Sequence, residues 1–318
     1  MNYIRRWKLI FSILLPTIML LEILGISGCS PKNEGQISFA YSVTDSKGME
    51  IHFQEKPHRI LTLGLGTDEI LLDLVNSDRI AALNSLAYDE GICPVAEKAG
   101  AVKEKMKDYN LEHIISLQPD LVIAPPWSDA ALVQGIRDAG ISVYIPESTL
   151  TIAGTKKAVL GISEAVGEVD AGKEIIQEME TDLKNAAERI EKIPEKERKK
   201  VVLYSHMHGY EGKDSYFDEE CRYAGLVNGA ASIGLGKTDP LSKENIIRIN
   251  PDYIFIPTWT SDHLSPEKAE EELTADPAYG TVKAVRNGHL VQVEDKYMYC
   301  AGHYVTKAIL QMIDRVYG

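Results

Sequence analysis

Positive charge, cysteine and long apolar runs are all scarce in this chain. Among 318 residues, 34 Lys+Arg face 47 Asp+Glu, which gives a formal charge of −13. An acidic chain repels phosphate unless it carries a basic patch, so nucleic acid is not an expected partner. Lys199-Lys200 closes a charged stretch over 195–200 that simply meets water. There is no Gly-x-Ser-x-Gly elbow and no phosphate-cradling loop, so no catalytic constellation stands out. Gly64-Leu-Gly66 lacks the third glycine and the later acidic residue of a dinucleotide fingerprint, and reads as a tight strand-to-helix turn. Ser205 and His206 are a poor nucleophile–base pair, because neighbours on a strand point to opposite faces. What remains is 44% hydrophobic and 25% charged, which is ordinary for a soluble globular protein and excludes disorder, collagen and multi-span membrane architectures. The length suggests about two domains.

The N-terminus does not read as fold. Arg5, Arg6 and Lys8 form a positive head, and residues 9–21 are a 13-residue apolar run. That is short of the ~20 residues of a membrane span but fits the core of a secretory signal. Ile26-Ser27-Gly28-Cys29 follows and looks like a lipobox, in which Cys29 is acylated and becomes the mature N-terminus. Removing residues 1–28 takes away three positive charges and one negative charge, leaving −15. Three cysteines then remain, Cys93, Cys221 and Cys300, an odd number that cannot all pair internally. The polar stretch 30–36 reads as a tether.

The body contains an internal repeat. Residues 110–127 align without gaps on 242–259, and seven of the 18 positions are identical. Average composition would give about one. Asn110 and Ser242 are N-caps, and Glu112 and Glu244 fall in the first turn, where the helix dipole favours a carboxylate. Pro119 and Pro251 stop the helices, and the short apolar runs 121–124 and 253–256 read as buried parallel strands. Two such units predict an α/β protein of two similar lobes with parallel-sheet cores. Between the lobes, 168–193 has helical apolar spacing, and its 26 residues would make a rod of ~39 Å.

Ligands of open α/β sheets bind beyond the carboxyl ends of the strands, which here means the cleft between the lobes. The candidates at those ends are Tyr88, Asp89, Trp127, His206, His208, Tyr210, Trp259, Tyr297 and Tyr299. Trp127 and Trp259 would approach from opposite sides and suit a large, flat guest; the alternative is that each packs at its own lobe's edge. On a continued strand, His206 and His208 share a face and could ligate a metal, although no further ligand has recognisable spacing. Cys300 and His303 would share a face only if helical.

The chain resembles the solute-binding lipoproteins of ABC importers for iron complexes and cobalamin. The resemblance rests on Val43-Thr-Asp45-Ser-Lys-Gly48, Lys56-Pro57-His-Arg59-Ile60, Thr67-Asp68-Glu69-Ile70, the two repeat units, and Ala284-Val285-Arg-Asn-Gly288-His-Leu-Val291, in that order. Thr-Glu is commoner in the family where Thr67-Asp68 stands here. The resemblance implies two lobes bridged by one long helix and a shallow groove for an iron chelate (siderophore or haem) or a corrinoid. It also implies a carboxylate on each lobe, here Glu112 and Glu244, that docks onto a permease driven by an ATPase. Residues 1–28 would be signal peptide, 29–40 lipid-anchored tether, 41–152 the N-terminal lobe, 153–198 the helical segment and 199–318 the C-terminal lobe. The expected molecule is a monomeric, non-enzymatic extracytoplasmic carrier with no intrinsic cofactor, held to the membrane through Cys29. The alternatives are a zinc or manganese receptor of related architecture, or a secreted metalloenzyme using His206 and His208.

Overall fold

The computed structural model describes residues 40–205, 211–259 and 265–318. The expected signal peptide, Cys29, His206, His208 and Tyr210 lie outside the described residues. Strands β1 (Tyr41–Thr44) and β2 (Glu50–Phe53) form an antiparallel hairpin. β3 (Ile60–Thr62), β4 (Ile80–Asn84), β5 (Lys105–Met106), β6 (Leu121–Ile123) and β7 (Ser142–Tyr144) make a parallel sheet in the order β5-β4-β3-β6-β7. β8 (Lys200–Leu203), β9 (Val227–Asn228), β10 (Tyr253–Ile256) and β11 (Leu290–Gln292) make a second parallel sheet in the order β11-β10-β8-β9. Each sheet has an apolar cluster on both faces, as parallel strands require.

The repeat is structural as well as sequential. Asn110 accepts from His113 N–H at 2.8 Å, and Ser242 from Asn245 N–H at 3.2 Å, each capping a short helix. The helices Leu111–Ser116 and Lys243–Ile249 lead to Gln118 and Asn250, which occupy the same left-handed conformation with φ of 48° and 49°. The following Asp of each unit clamps the first strand of its lobe. Asp120 accepts from His58 N–H at 2.6 Å and from Arg59 N–H at 3.0 Å, while Asp252 accepts from Lys200 N–H at 3.0 Å. Each returns its own N–H to the same strand, to Arg59 O and Lys200 O. These carboxylates set the register in which β6 pairs β3 and β10 pairs β8.

Two helices run between the lobes. Ile152–Val166 starts against the C-terminal core through Ile152 and ends in the N-terminal core through Val159, Ile162, Ala165 and Val166. Gly167, at φ 75°, turns the chain back. The helix Val169–Ile190 then returns, with Ile175 in the N-terminal core and Met179 and Ala186 in the C-terminal core. Its 22 residues span about 33 Å. It is shorter than the spacing predicted because Pro194 disfavours helical backbone at Ile193. Its start is held by Arg79 and Lys56 on Glu168, at 2.6 and 3.0 Å. Its later turns are held by Thr306 and Lys307 on Asp182, both at 2.8 Å, and by Arg189 on Asp314 at 2.6 Å.

The first helix of the N-terminal lobe is Leu65–Leu74, so Gly66 lies inside its first turn and not in a preceding loop. Gly64 O accepts from Thr67 N–H and Asp68 N–H, which starts the helix earlier than the sequence suggested.

If the Pro-Asp units are equivalent clamps, Asp120→Ala and Asp252→Ala should each cost about 1–2 kcal/mol, the range of a lost cap or charge-assisted bond. Urea unfolding of the two single variants checks this, and a cost confined to one lobe would deny the equivalence.

Candidate functional site

The two sheets present the carboxyl ends of their strands to each other, and among the described residues the lobes meet there at several places, including Thr149 on Tyr216 at 3.0 Å; two of these contacts involve the expected site. The inner contact is tightly closed. A Cβ added to Gly66 would lie 2.7 Å from Ala301 Cβ and 2.8 Å from the Ala301 backbone, so glycine lets the first helix reach the opposite lobe. One turn on, Glu69 is fully buried and accepts from the Cys300 thiol across the lobes at 3.0 Å. Gly302 N–H donates to Cys300 Sγ at 3.2 Å. His303 Nε2 sits 2.8 Å from Asp73 Oδ2, extending the contact toward the linking helix.

This floor is acidic and buried. Burial pushes the Glu69 carboxyl up to about 8, against the lowering effect of the Cys300 thiol and with added repulsion from Asp68 and Asp73. Burial likewise pushes Asp68 up to about 8, although Thr62 Oγ1 and Asn84 N–H both donate to it. Glu69 Oε1 has no hydrogen-bond partner, as suits a protonated acid in an apolar setting.

The outer contact is half-buried. Trp259 Nε1 donates to Asp89 Oδ2 at 3.0 Å, so these two predicted residues are brought together across the lobes. The other predicted residues take different positions. Tyr88 turns into its own lobe: its hydroxyl donates to Val102 O and Glu104 O at 2.8 and 3.2 Å, and the Lys105 ammonium lies 3.8 Å from its ring centre. Tyr297 and Tyr299 pack partly buried on the C-terminal core, and Tyr299 is hydrogen-bonded to Ser205. Trp127 is 60% exposed, so the two tryptophans are not equivalent. Cys300 and His303 are not on a helix, and they address separate partners, Glu69 and Asp73. Among the described residues, no group of three or more His, Cys, Asp and Glu could hold a metal ion.

Glu112 and Glu244 are both exposed, each in the first turn of its capped helix. Bonds from its own backbone N–H and from Ser242 hold the Glu244 carboxyl below the usual range, so it carries full charge at neutral pH.

Asp295 and Gly91 are the residues that the sequence did not disclose. Asp295 is 2% exposed and supports the Trp259 backbone; Gly91 lies beneath the Trp259 ring. Neither has a local pattern that signals its role.

Two lobes with parallel-sheet cores, joined by a helix shared by both cores and meeting at the carboxyl ends of their strands, have the architecture of a two-lobed binding protein. The chain belongs to the periplasmic binding protein family, whose model matches residues 60–297. It is thus an extracytoplasmic, non-enzymatic component of an ABC transporter. The chain is 25% identical over 291 residues to the iron-uptake system-binding protein of Bacillus subtilis, covering 87% of this chain and 89% of the relative. It is 23% identical to an uncharacterised ABC transporter substrate-binding lipoprotein of the same organism, covering 88% and 86%. Among solved structures, it is similar to a periplasmic binding protein from Veillonella parvula, with a TM-score of 0.70, 21% identity and coverage of 87% and 97%.

The raised carboxyls make stability depend on pH. The unfolded chain releases these protons near their ordinary values, 3.8 for Asp68 and 4.5 for Glu69, whereas the folded protein holds them to about 8. Between those limits the unfolded state binds fewer protons, so the contribution of these two groups is full below pH 4 and is lost as pH rises to about 8. Glu69→Gln removes one of the two groups. It should match the parent at pH 4 and exceed it at pH 8 by about 2–4 kcal/mol in urea unfolding.

Proposed function

We propose that this protein is the lipid-anchored receptor of an ABC importer that captures an iron chelate, haem or a corrinoid in the interlobe cleft and hands it to the permease. The observation that carries the reading is the pair Glu112 and Glu244. They stand at equivalent positions of the repeat, on equivalently capped helices, one per lobe, and both are exposed. A dipole role alone explains each glutamate but not their matched placement. The relatives support the cargo class: one is named for iron uptake and another, from Halobacterium salinarum, for cobalamin binding. We place the guest against Trp259 and Asp89 at the rim and extend the site to Tyr88, Tyr297, Tyr299, Trp127, His206, His208 and Tyr210.

We assign residues 1–28 to a signal peptide and 29–40 to a tether acylated at Cys29. The lobes are 41–152 and 199–318, with 153–198 between them. The positive head, apolar run and Ile-Ser-Gly-Cys order support the anchor, and so does the lipoprotein name of a relative.

Glu112→Arg with Glu244→Arg should abolish cellular uptake while leaving cargo affinity unchanged. Loss of affinity with intact docking would remove the role given to these residues. Titration of tryptophan fluorescence with haemin, cyanocobalamin and a ferric trihydroxamate identifies the cargo, and saturation by none of them would sink the reading. Cys29→Ala should shift the protein from the membrane fraction to the soluble one.

A further inference from the structure

Trp259 is gripped at three points. Its backbone N–H donates to Asp295 Oδ2 at 2.9 Å, and the preceding Thr258 N–H donates to the same oxygen at 3.1 Å. The Thr258 hydroxyl accepts from Asp295 N–H at 2.8 Å, closing the loop onto this one residue. The ring lies so close to Gly91 that a Cβ there would sit 2.4 Å from Trp259 Cδ1. The indole N–H ends on Asp89 Oδ2 at 3.0 Å, and Asp89 Oδ1 is aimed by Gly91 N–H at 2.8 Å.

The Asp89–Gly91 loop follows β4, and Trp259 follows β10, so the grip spans the carboxyl ends of strands from the two lobes. The Cδ1–Nε1 edge of the ring is thus held on the opposite lobe by both Gly91 and Asp89. Behind it the floor is already closed by Gly66 on Ala301 and Glu69 on Cys300.

We infer that Trp259 is an interlobe latch, positioned by Asp295 and received by Asp89 and Gly91, and that a bulky guest enters the cleft only by displacing it. This rests on the proposed function, because it assumes a guest between the lobes. A latch that excludes the guest lowers apparent affinity by the fraction of molecules that are unlatched. The indole bond to a carboxylate acceptor is of the stronger, charge-assisted kind. Asp295 acts through Trp259 and is a positioning residue.

The latch is tested first without any guest. The chain from Cys29 onward, labelled with ¹⁵N-tryptophan, has two indole N–H signals, from Trp127 and Trp259. Trp127→Phe and Trp259→Phe assign them. The Trp259 indole N–H should exchange with D₂O at least about tenfold more slowly than that of Trp127, as a buried-edge bond does relative to an exposed one. Asp89→Ala and Gly91→Ala should each abolish the difference. Asp295→Ala should do the same, whereas Asp295→Asn should preserve it, since an amide oxygen still accepts both N–H groups. Equal exchange in the unaltered chain overturns the latch whatever the cargo is.

The second arm uses haemin, cyanocobalamin and a ferric trihydroxamate. Trp259→Phe keeps an aromatic ring and loses the donor, so it should bind the accepted probe about tenfold more tightly, the effect of removing one competing bond. Unchanged or weaker binding overturns the competition, as does a Trp259 N–H that stays protected in the loaded protein. If no probe binds, the cargo reading fails while the exchange experiment still decides the latch.

Discussion

One helix belongs to both hydrophobic cores, and the rest of the molecule is arranged around that constraint. Ile175 of Val169–Ile190 is part of the N-terminal cluster, while Met179 and Ala186 are part of the C-terminal one. Pulling the lobes apart would expose apolar surface on the helix itself, a cost roughly proportional to the area uncovered. The polar anchors act at either end, Glu168 with Arg79 and Lys56 on one lobe, Asp182 and Asp314 with their partners on the other. Motion is thereby confined to small rotations about a fixed separation. The floor limits even those, because Ala301 seats against Gly66 with no room for a side chain.

Such a molecule binds differently from one with a flexible hinge. On the proposed reading little conformational entropy is lost on loading beyond the local rearrangement at Trp259, because the two lobes keep their separation. The same rigidity has a second consequence. On the proposed reading, two glutamates on separate lobes are useful as a pair only if their spacing is constant, and the helix shared by both cores favours that. Docking and loading would then depend on one structural element for opposite reasons: it keeps the outer surface invariant and leaves the rim between the lobes to respond.

Much of this was legible in the sequence because it is local. N-caps, first-turn glutamates, helix-stopping prolines and buried strands all act within a few residues, and the repeat doubled each signal. The equivalence extends to Gln118 and Asn250, whose shared left-handed backbone follows from the need to turn into Pro-Asp. The interlobe contacts were not legible. Glu69 meets Cys300 across 231 positions and Trp259 meets Asp89 across 170, and no periodicity reports such pairings. Nothing around Glu69 in the sequence signals that its carboxyl is fully buried and held well above the usual range. β5 and β9 were missed for a simpler reason: two residues carry no pattern.

The two tryptophans show where the duplication stops determining the site. Trp127 and Trp259 occupy the same position of the repeat, after equivalent strands and equivalent prolines. Trp259 has Asp295 beneath its backbone and the Asp89–Gly91 loop opposite its ring. Among the described residues, no hydrogen bond holds the Trp127 indole, which is 60% exposed. The scaffold fixes where a side chain emerges, but its partners come from loops outside the repeat, and those loops differ. Equivalence is kept at the glutamates, where on the proposed reading both lobes meet one transporter. It is broken at the cleft, where one side must carry the ring and the other must supply the acceptor, a division that two identical halves cannot make.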